Sequence, residues 1–160
     1  MGADIFGKIG DIKGESNDAK HPGEIEILSY SWGVSQTGTM SFGGGGGAGK
    51  ANFQDFNFMH YLDKASPVLL QRCATGEHIK EATITVRKAG QKEPLEYLII
   101  KLSDILVSSV SSSGTGDAST SESVTLNYAK VIVEYKPQKA DGSLDAGVFF
   151  KYDLKQNKAE

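Results

Sequence analysis

The sequence predicts a mainly β protein, a barrel or sandwich of many strands with one short helix. Two observations carry that expectation. Segments of alternating or β-branched residues recur between turn signals along nearly the whole chain. Three longer segments, Glu24–Val34, Leu95–Val107 and Val124–Tyr135, are apolar in both phases of a strand. Side chains alternate with a period of two, so a strand with one buried face should alternate cleanly, and these do not.

In chain order, Ile5 to Ile9 and Ile12 to Glu15 read as a hairpin turning at Gly10-Asp11. In the first long segment Ile25 and Ile27 point one way, while Leu28, Tyr30, Trp32 and Val34 point the other. A Gly-rich loop spans about Thr37 to Lys50, and Phe56 and Phe58 continue as a strand. Ser66 as N-cap, Pro67 at the first helical position and Gly76 past the end mark the helix, with Leu69, Leu70 and Cys73 on its packed side. Thr83–Arg87 alternates, turning Ala82, Ile84 and Val86 inward, and Ala89–Pro94 turns the chain back. In the second long segment Leu95, Tyr97 and Ile99 oppose Leu98, Ile100 and Leu102. A polar, low-complexity loop, Ser108–Ser123, precedes the third, where Val124, Leu126 and Tyr128 oppose Val131, Val133 and Tyr135. Asp141-Gly142 opens a turn, and Val148, Phe150, Tyr152 and Leu154 close the chain as an alternating strand.

A chain of 160 residues offers one core, which covers one face of each strand. The second face needs a helix, a bulge that swaps the phase, or another subunit. Three such segments together favour a subunit interface, with Ile25, Ile27, Leu98, Ile100, Val131 and Val133 as the candidate faces.

Composition excludes several classes. Residues 1–160 read as one ordinary globular domain, 39% hydrophobic and 23% charged. The net charge is −3 and Lys and Arg are scattered, so no basic stripe invites nucleic acid. No apolar run approaches the roughly 20 residues of a membrane helix. The N-terminal residues lack signal-peptide regions, and Phe6 stands where myristoylation wants Ser or Thr. Cys73 is alone, which excludes an internal disulfide and fits a reducing cytoplasm, so any export is expected without a cleaved signal.

No motif yields an active site. Gly44-Gly45-Gly46-Gly47-Ala48-Gly49-Lys50 fits the phosphate-cradling G-x-x-x-x-G-K pattern, but Ala51 replaces the hydroxyl residue that holds magnesium. A strand pattern, Asn52–Phe58, follows where that loop must open a helix, so a flexible loop is the expected reading. His21, His60 and His78 lack metal-ligand spacing and read as surface or structural residues. Glu24 and Glu26 share a face as a solvated strand edge, Cys73 reads as a small core residue, and no G-x-S-x-G elbow occurs. No enzyme, metal or cofactor is expected.

The chain resembles a family. Glu24-Ile25-Glu26-Ile27-Leu28-Ser29-Tyr30-Ser31-Trp32-Gly33 is similar to the first signature strand of haemolysin-coregulated proteins, Hcp, of bacterial type VI secretion. The resemblance continues, in order, through Lys13–Ser16, Asp63–Pro67, Arg87–Gly90, Val107–Val110, Glu122–Lys130 and Tyr135–Gln138. It implies a small two-sheet β-barrel with one short flanking α-helix, assembling six to a ring. It further implies that rings stack head to tail into a hollow tube, under a spike and inside a contractile sheath. Such a tube waits in the cytoplasm, is then propelled out of the cell, and carries small effectors in its lumen.

Within that frame the loop Thr39, Met40, Ser41, Phe42, Gly43, Gly44, Gly45, Gly46, Gly47 and Lys50 is the candidate for ring-to-ring stacking. Its Met40 and Phe42 are apolar residues stranded among glycines. Ser111, Ser112, Ser113, Thr115 and Ser119 are candidates for the lumen wall, because hydroxyls make replaceable hydrogen bonds. The competing classes are a nucleotide-binding enzyme and a monomeric carbohydrate- or nucleic-acid-binding barrel. The second would show aromatics interleaved with basic residues, whereas Trp32, Tyr128 and Tyr135 sit within strand patterns.

Overall fold

The computed structural model describes residues 2–38, 48–88 and 93–160, and among these one helix and twelve strands follow in chain order. They are β1 Ala3–Ile9, β2 Ile25–Ile27, β3 Ser29–Ser31, β4 Val34–Gly38, β5 Ala48–Phe53, β6 Phe56–Tyr61, α1 Ser66–Thr75, β7 Ile79–Lys88, β8 Glu96–Ser113, β9 Ser121–Asn127, β10 Lys130–Tyr135, β11 Val148–Asp153 and β12 Lys158–Ala159. One antiparallel sheet runs β12-β11-β10-β8-β7-β1-β2. A second runs β8-β9-β6-β3, so the two share β8, and β4-β5 pair apart. The mainly β class with one helix holds. The two sheets cover one core without closing into a complete barrel.

In the first and third segments the doubled apolar phases have a cause inside the subunit, whereas in the second Tyr97 and Ile99 lie before the swap and stay half-buried on the outer face of β8. Each long segment changes sheet partway and swaps the phase that faces the core. In β8, 18 residues long, Ile100 and Leu102 are buried on the first sheet; Asp104 then takes φ 53, and Ile105 and Val107 are buried. Between β2 and β3 the swap falls at Leu28, so Ile25 and Ile27 are buried before it and Tyr30 and Trp32 pack on the core after it. Between β9 and β10 it falls at Tyr128-Ala129, after Val124 and Leu126 and before Val131. Sheets that share a core turn their corners in this way, by bends and bulges. The Trp32 indole N–H donates to the Tyr128 hydroxyl at 2.5 Å, and that hydroxyl donates to the Gln54 carbonyl at 2.8 Å, tying two of these corners together.

The candidate interface faces are therefore corrected. Ile25, Ile27, Ile100 and Val131 are buried in this chain's own core, and Leu98 and Val133 pack against it. The four buried residues have no face left to offer a neighbour, and Leu98 and Val133 keep part of their surface. Alternation alone could not separate a phase-swapping bend from a second partner.

Other boundaries shift for local reasons. Ile12 makes only a bridge to Ile9, and β1 pairs instead with β2 and β7, because Gly10, at φ 53, turns the chain away. Residues 13–24 then form a strap closed by Gly14 N–H to Gly23 O at 2.8 Å and Ser16 N–H to Glu24 O at 3.0 Å. A Cβ on Gly14 would lie 2.5 Å from Glu24 O, so only glycine permits that approach. Ser108–Ser113 is strand rather than loop, leaving Gly114–Thr120 as the connection.

The helix spans the expected residues and ends on Gly76, φ 70, whose N–H reaches Arg72 O. Its N-cap is Ala65, with Asp63 Oδ1 accepting the Ala65 N–H at 2.8 Å. Leu69 is buried and Cys73 packs on the core, whereas Leu70 faces out. Ala82, Ile84 and Val86 are inward as expected. In β11 the phase is right, but Val148 and Phe150 stay exposed because no strand covers that corner.

Candidate functional site: a hydroxyl-lined sheet face between two apolar edges

The second sheet has one strongly apolar face and one uncharged polar face, and strict alternation generates both. Inward lie Tyr30, Phe56, Phe58, Val124 and Leu126. Outward, cross-strand pairing assembles three rows: Ser31, Asn57, Thr125 and Ser109; then Ser29, Met59, Ser123 and Ser111; then Tyr61, Ser121 and Ser113. No row holds a charged residue. Asn57 Nδ2 donates to Ser123 Oγ at 2.9 Å and Thr125 Oγ1 at 3.0 Å, which fixes the middle of the face. Cross-strand hydroxyl pairs of this kind stabilise a sheet modestly while leaving lone pairs for a guest.

This face takes in Ser111 and Ser113 of the expected lumen residues. Ser112 lies in the opposite phase, beside Glu122, and Thr115 and Ser119 sit in the turn beyond β8. Sequence reasoning missed Ser29, Ser31, Asn57, Ser121, Ser123 and Thr125. The signal was present in Ser121-Glu122-Ser123-Val124-Thr125-Leu126, polar and apolar by turns.

Behind the face lies an ion pair. His60 and Glu122 oppose each other across β6 and β9, with Nε2 2.8 Å from Oε1 and both side chains fully buried. Burial pushes the His60 pKa down, but Asp63, 3.7 Å from Nδ1, and Glu122 outweigh it and raise it. His60 Nδ1 and Glu122 Oε2 have no hydrogen-bond partner. No group of three potential metal ligands occurs among the described residues. His78 is exposed, and His21 is buried in a polar cluster described below.

Two apolar edges flank the fold. Leu28, Met59, Tyr61 and Leu62, between 39% and 54% exposed, cluster around β6, and Leu28, Tyr61 and Leu62 line a groove of about 490 Å³ whose walls carry Asp4, Glu15, Glu26 and Asp63. At the far end of the first sheet Tyr135, Val148, Phe149 and Phe150 are between 39% and 65% exposed. There β12 pairs only with Tyr152 and Asp153, so β11 has an uncovered edge with Lys151 beside it, its amine over the Phe149 ring. Exposed apolar clusters of this size mark interaction surfaces.

The expected stacking loop, 39–47, lies outside the described residues. Lys50 is exposed in β5, and Ala51 and Asn52 pair with Gln36 and Ser35. The Gly-rich segment thus leads into a strand, and the helix a phosphate loop requires is not there. Glu24 also departs from a solvated edge, because its carboxylate meets His21 at 2.8 Å.

Known proteins share this architecture. Residues 6–135 match the family described as type VI secretion system effector, Hcp. Protein hcp1 of Pseudomonas aeruginosa is 52% identical over 159 residues, covering 98% of each chain. The crystal structure of Hcp1 from Salmonella typhimurium superposes with a TM-score of 0.83 at 40% identity, over 100% of both chains. A structure of a type six secretion system protein superposes at 0.93, with 28% identity over 99% of this chain and 100% of that one. Near-complete coverage in sequence and in fold leads to one conclusion: this chain belongs to the Hcp family of type VI secretion.

Proposed function

We propose that this chain builds six-membered rings whose inner wall is the hydroxyl-lined face of the second sheet. As an Hcp protein it is a self-assembling, secreted component of the type VI tube and a structural protein rather than an enzyme. The observation that carries the finer reading is the uncharged polar face, Ser29 to Ser123, on a fold that also exposes two apolar clusters. A lumen wall without charge binds a passing protein through single hydrogen bonds, worth about 1 kcal/mol net each, and so releases it readily.

The edges supply a heterologous contact. The Leu28–Leu62 edge, with acidic groove walls, fits the Val148–Phe149–Phe150 edge with Lys151 on the next copy. A head-to-tail contact of this type closes into a ring when its rotation divides the circle. Loop 39–47 is the proposed ring-to-ring contact, and the spike, the sheath and small effectors are the proposed partners. The chain is proposed to rest in the cytoplasm before firing and to leave without a cleaved signal. Light scattering of the purified protein tests the ring directly, and a monomer at micromolar concentration would overturn it.

A further inference from the structure

The outer face of β1 and β7 is buried although it points away from the core. Phe6, Thr85 and Arg87 are 5%, 4% and 6% exposed, under the strap of residues 13–24. The strap is fastened at two points. At one, Arg87 Nη1 donates to Asp18 at 2.9 Å and its Nε to Asp4 at 3.2 Å, with the guanidinium 4.7 Å above the Phe6 ring. At the other, the His21 ring stacks on Phe6 with centroids 4.6 Å apart. Its Nδ1 lies 2.8 Å from Glu24 and its Nε2 2.7 Å from Glu96 on β8.

Both ring nitrogens of His21 thus face carboxylates. An ionised carboxylate only accepts hydrogen bonds, whereas a neutral imidazole has one donor and one acceptor nitrogen. A neutral ring would turn a lone pair on one of the two acids. We infer that His21 is held as an imidazolium that latches the strap to β8, and that this latch opens as pH rises.

The surroundings favour the charged form. Charged neighbours come from every element packed on the ring: Asp4 from β1, Arg87 from β7, Glu96 from β8, and Asp18 and Glu24 from the strap. Four carboxylates face two cations while His21 is charged, and Arg87 alone once it is not. Burial lowers the His21 pKa, and the bonds to Glu24 and Glu96 more than reverse this, raising it above 6.5. Arg87 keeps its charge throughout, so the Asp18 end stays fastened and residues 19–24 open. Between pH 6.5 and the raised value, opening releases one proton, and the opening constant grows up to about tenfold per pH unit.

Proton NMR of the imidazoles, combined with amide exchange at Gly23, whose N–H bonds Ser16 O at 2.8 Å, tests the latch on the intact chain. The His21 signal, identified in the parent by its nuclear Overhauser contacts with the Phe6 ring stacked on it, is expected to titrate above 6.5. Protection of Gly23 should fall with rising pH beyond the change in intrinsic exchange, and His21→Gln should remove that extra slope. Glu96→Gln should lower the His21 pKa and move the opening to lower pH. A His21 pKa at or below 6.5 would overturn the latch, and so would equal slopes in the parent and His21→Gln. The imidazole titration of the parent decides the matter even where a variant does not fold.

Discussion

His60 and Glu122 meet across neighbouring strands at 2.8 Å, neither with any exposed surface, directly behind the hydroxyl-lined face. Removing one partner of a buried pair leaves the other charge uncompensated, at a cost of about 3–5 kcal/mol. His60→Gln and Glu122→Gln are each expected to lose stability on that scale in urea unfolding. The double substitution His60→Leu with Glu122→Met should lose much less than the sum. Additive losses would show that the two side chains act independently.

Stability is expected to fall on the alkaline side. His21 and His60 both have raised folded pKa values, so their contribution is complete below the unfolded value near 6.5 and is lost as pH climbs through the folded ones. On the acid side Asp18 is lowered to about 2, chiefly by its bond to Arg87. Its contribution is present above 3.8 and is lost as pH falls towards about 2. Melting temperatures between pH 6 and 9 check the first limb; no decline there would contradict the histidine assignment.

Assembly should depend on both exposed edges. Phe149→Glu and Leu62→Glu each place a charge on an exposed residue, so the fold and its melting temperature should change little. Light scattering is expected to report subunits instead of rings for either variant. Rings that survive both substitutions would move the lateral contact elsewhere.

The hydroxyl-lined face should tolerate substitution structurally and not functionally. Ser111→Lys leaves the Asn57 hydrogen bonds intact, so rings should form normally, while a retained effector should co-purify less. Unchanged co-purification and secretion would place the lumen on another surface.

The stacking contact proposed for the Gly-rich segment can be tested directly. Replacing Met40 and Phe42 with Ser, or deleting Gly43–Gly47, should leave rings intact and abolish tubes under the electron microscope. Long tubes from either variant would remove the segment from the ring-to-ring contact.

The helix and the inward phase of β7 were legible in the sequence because they rest on local signals. Pro67, Gly76 and the run Ala82-Thr83-Ile84-Thr85-Val86 each carry their own instruction. The meaning of the two-phase segments was not. A swap at Asp104 or at Tyr128-Ala129 is a property of the corner between sheets, and no residue type announces it. The strap was hidden for a different reason. His21, Asp18, Arg87 and Glu96 lie up to 78 residues apart in sequence, and only the fold brings them around Phe6. The serines of β8 looked like a linker because a hydroxyl-rich strand and a hydroxyl-rich loop have the same composition.

The shared strand β8 has a mechanical consequence. Its 18 residues pass from one sheet into the other without a break, so the two sheets are joined by covalent backbone rather than by side-chain contact alone. A shearing load on one sheet is transmitted to the other along that spar. Separating the layers requires tearing β8 from β7, β9 and β10 together. The subunit yields as one body or not at all, which suits a part that is driven by force.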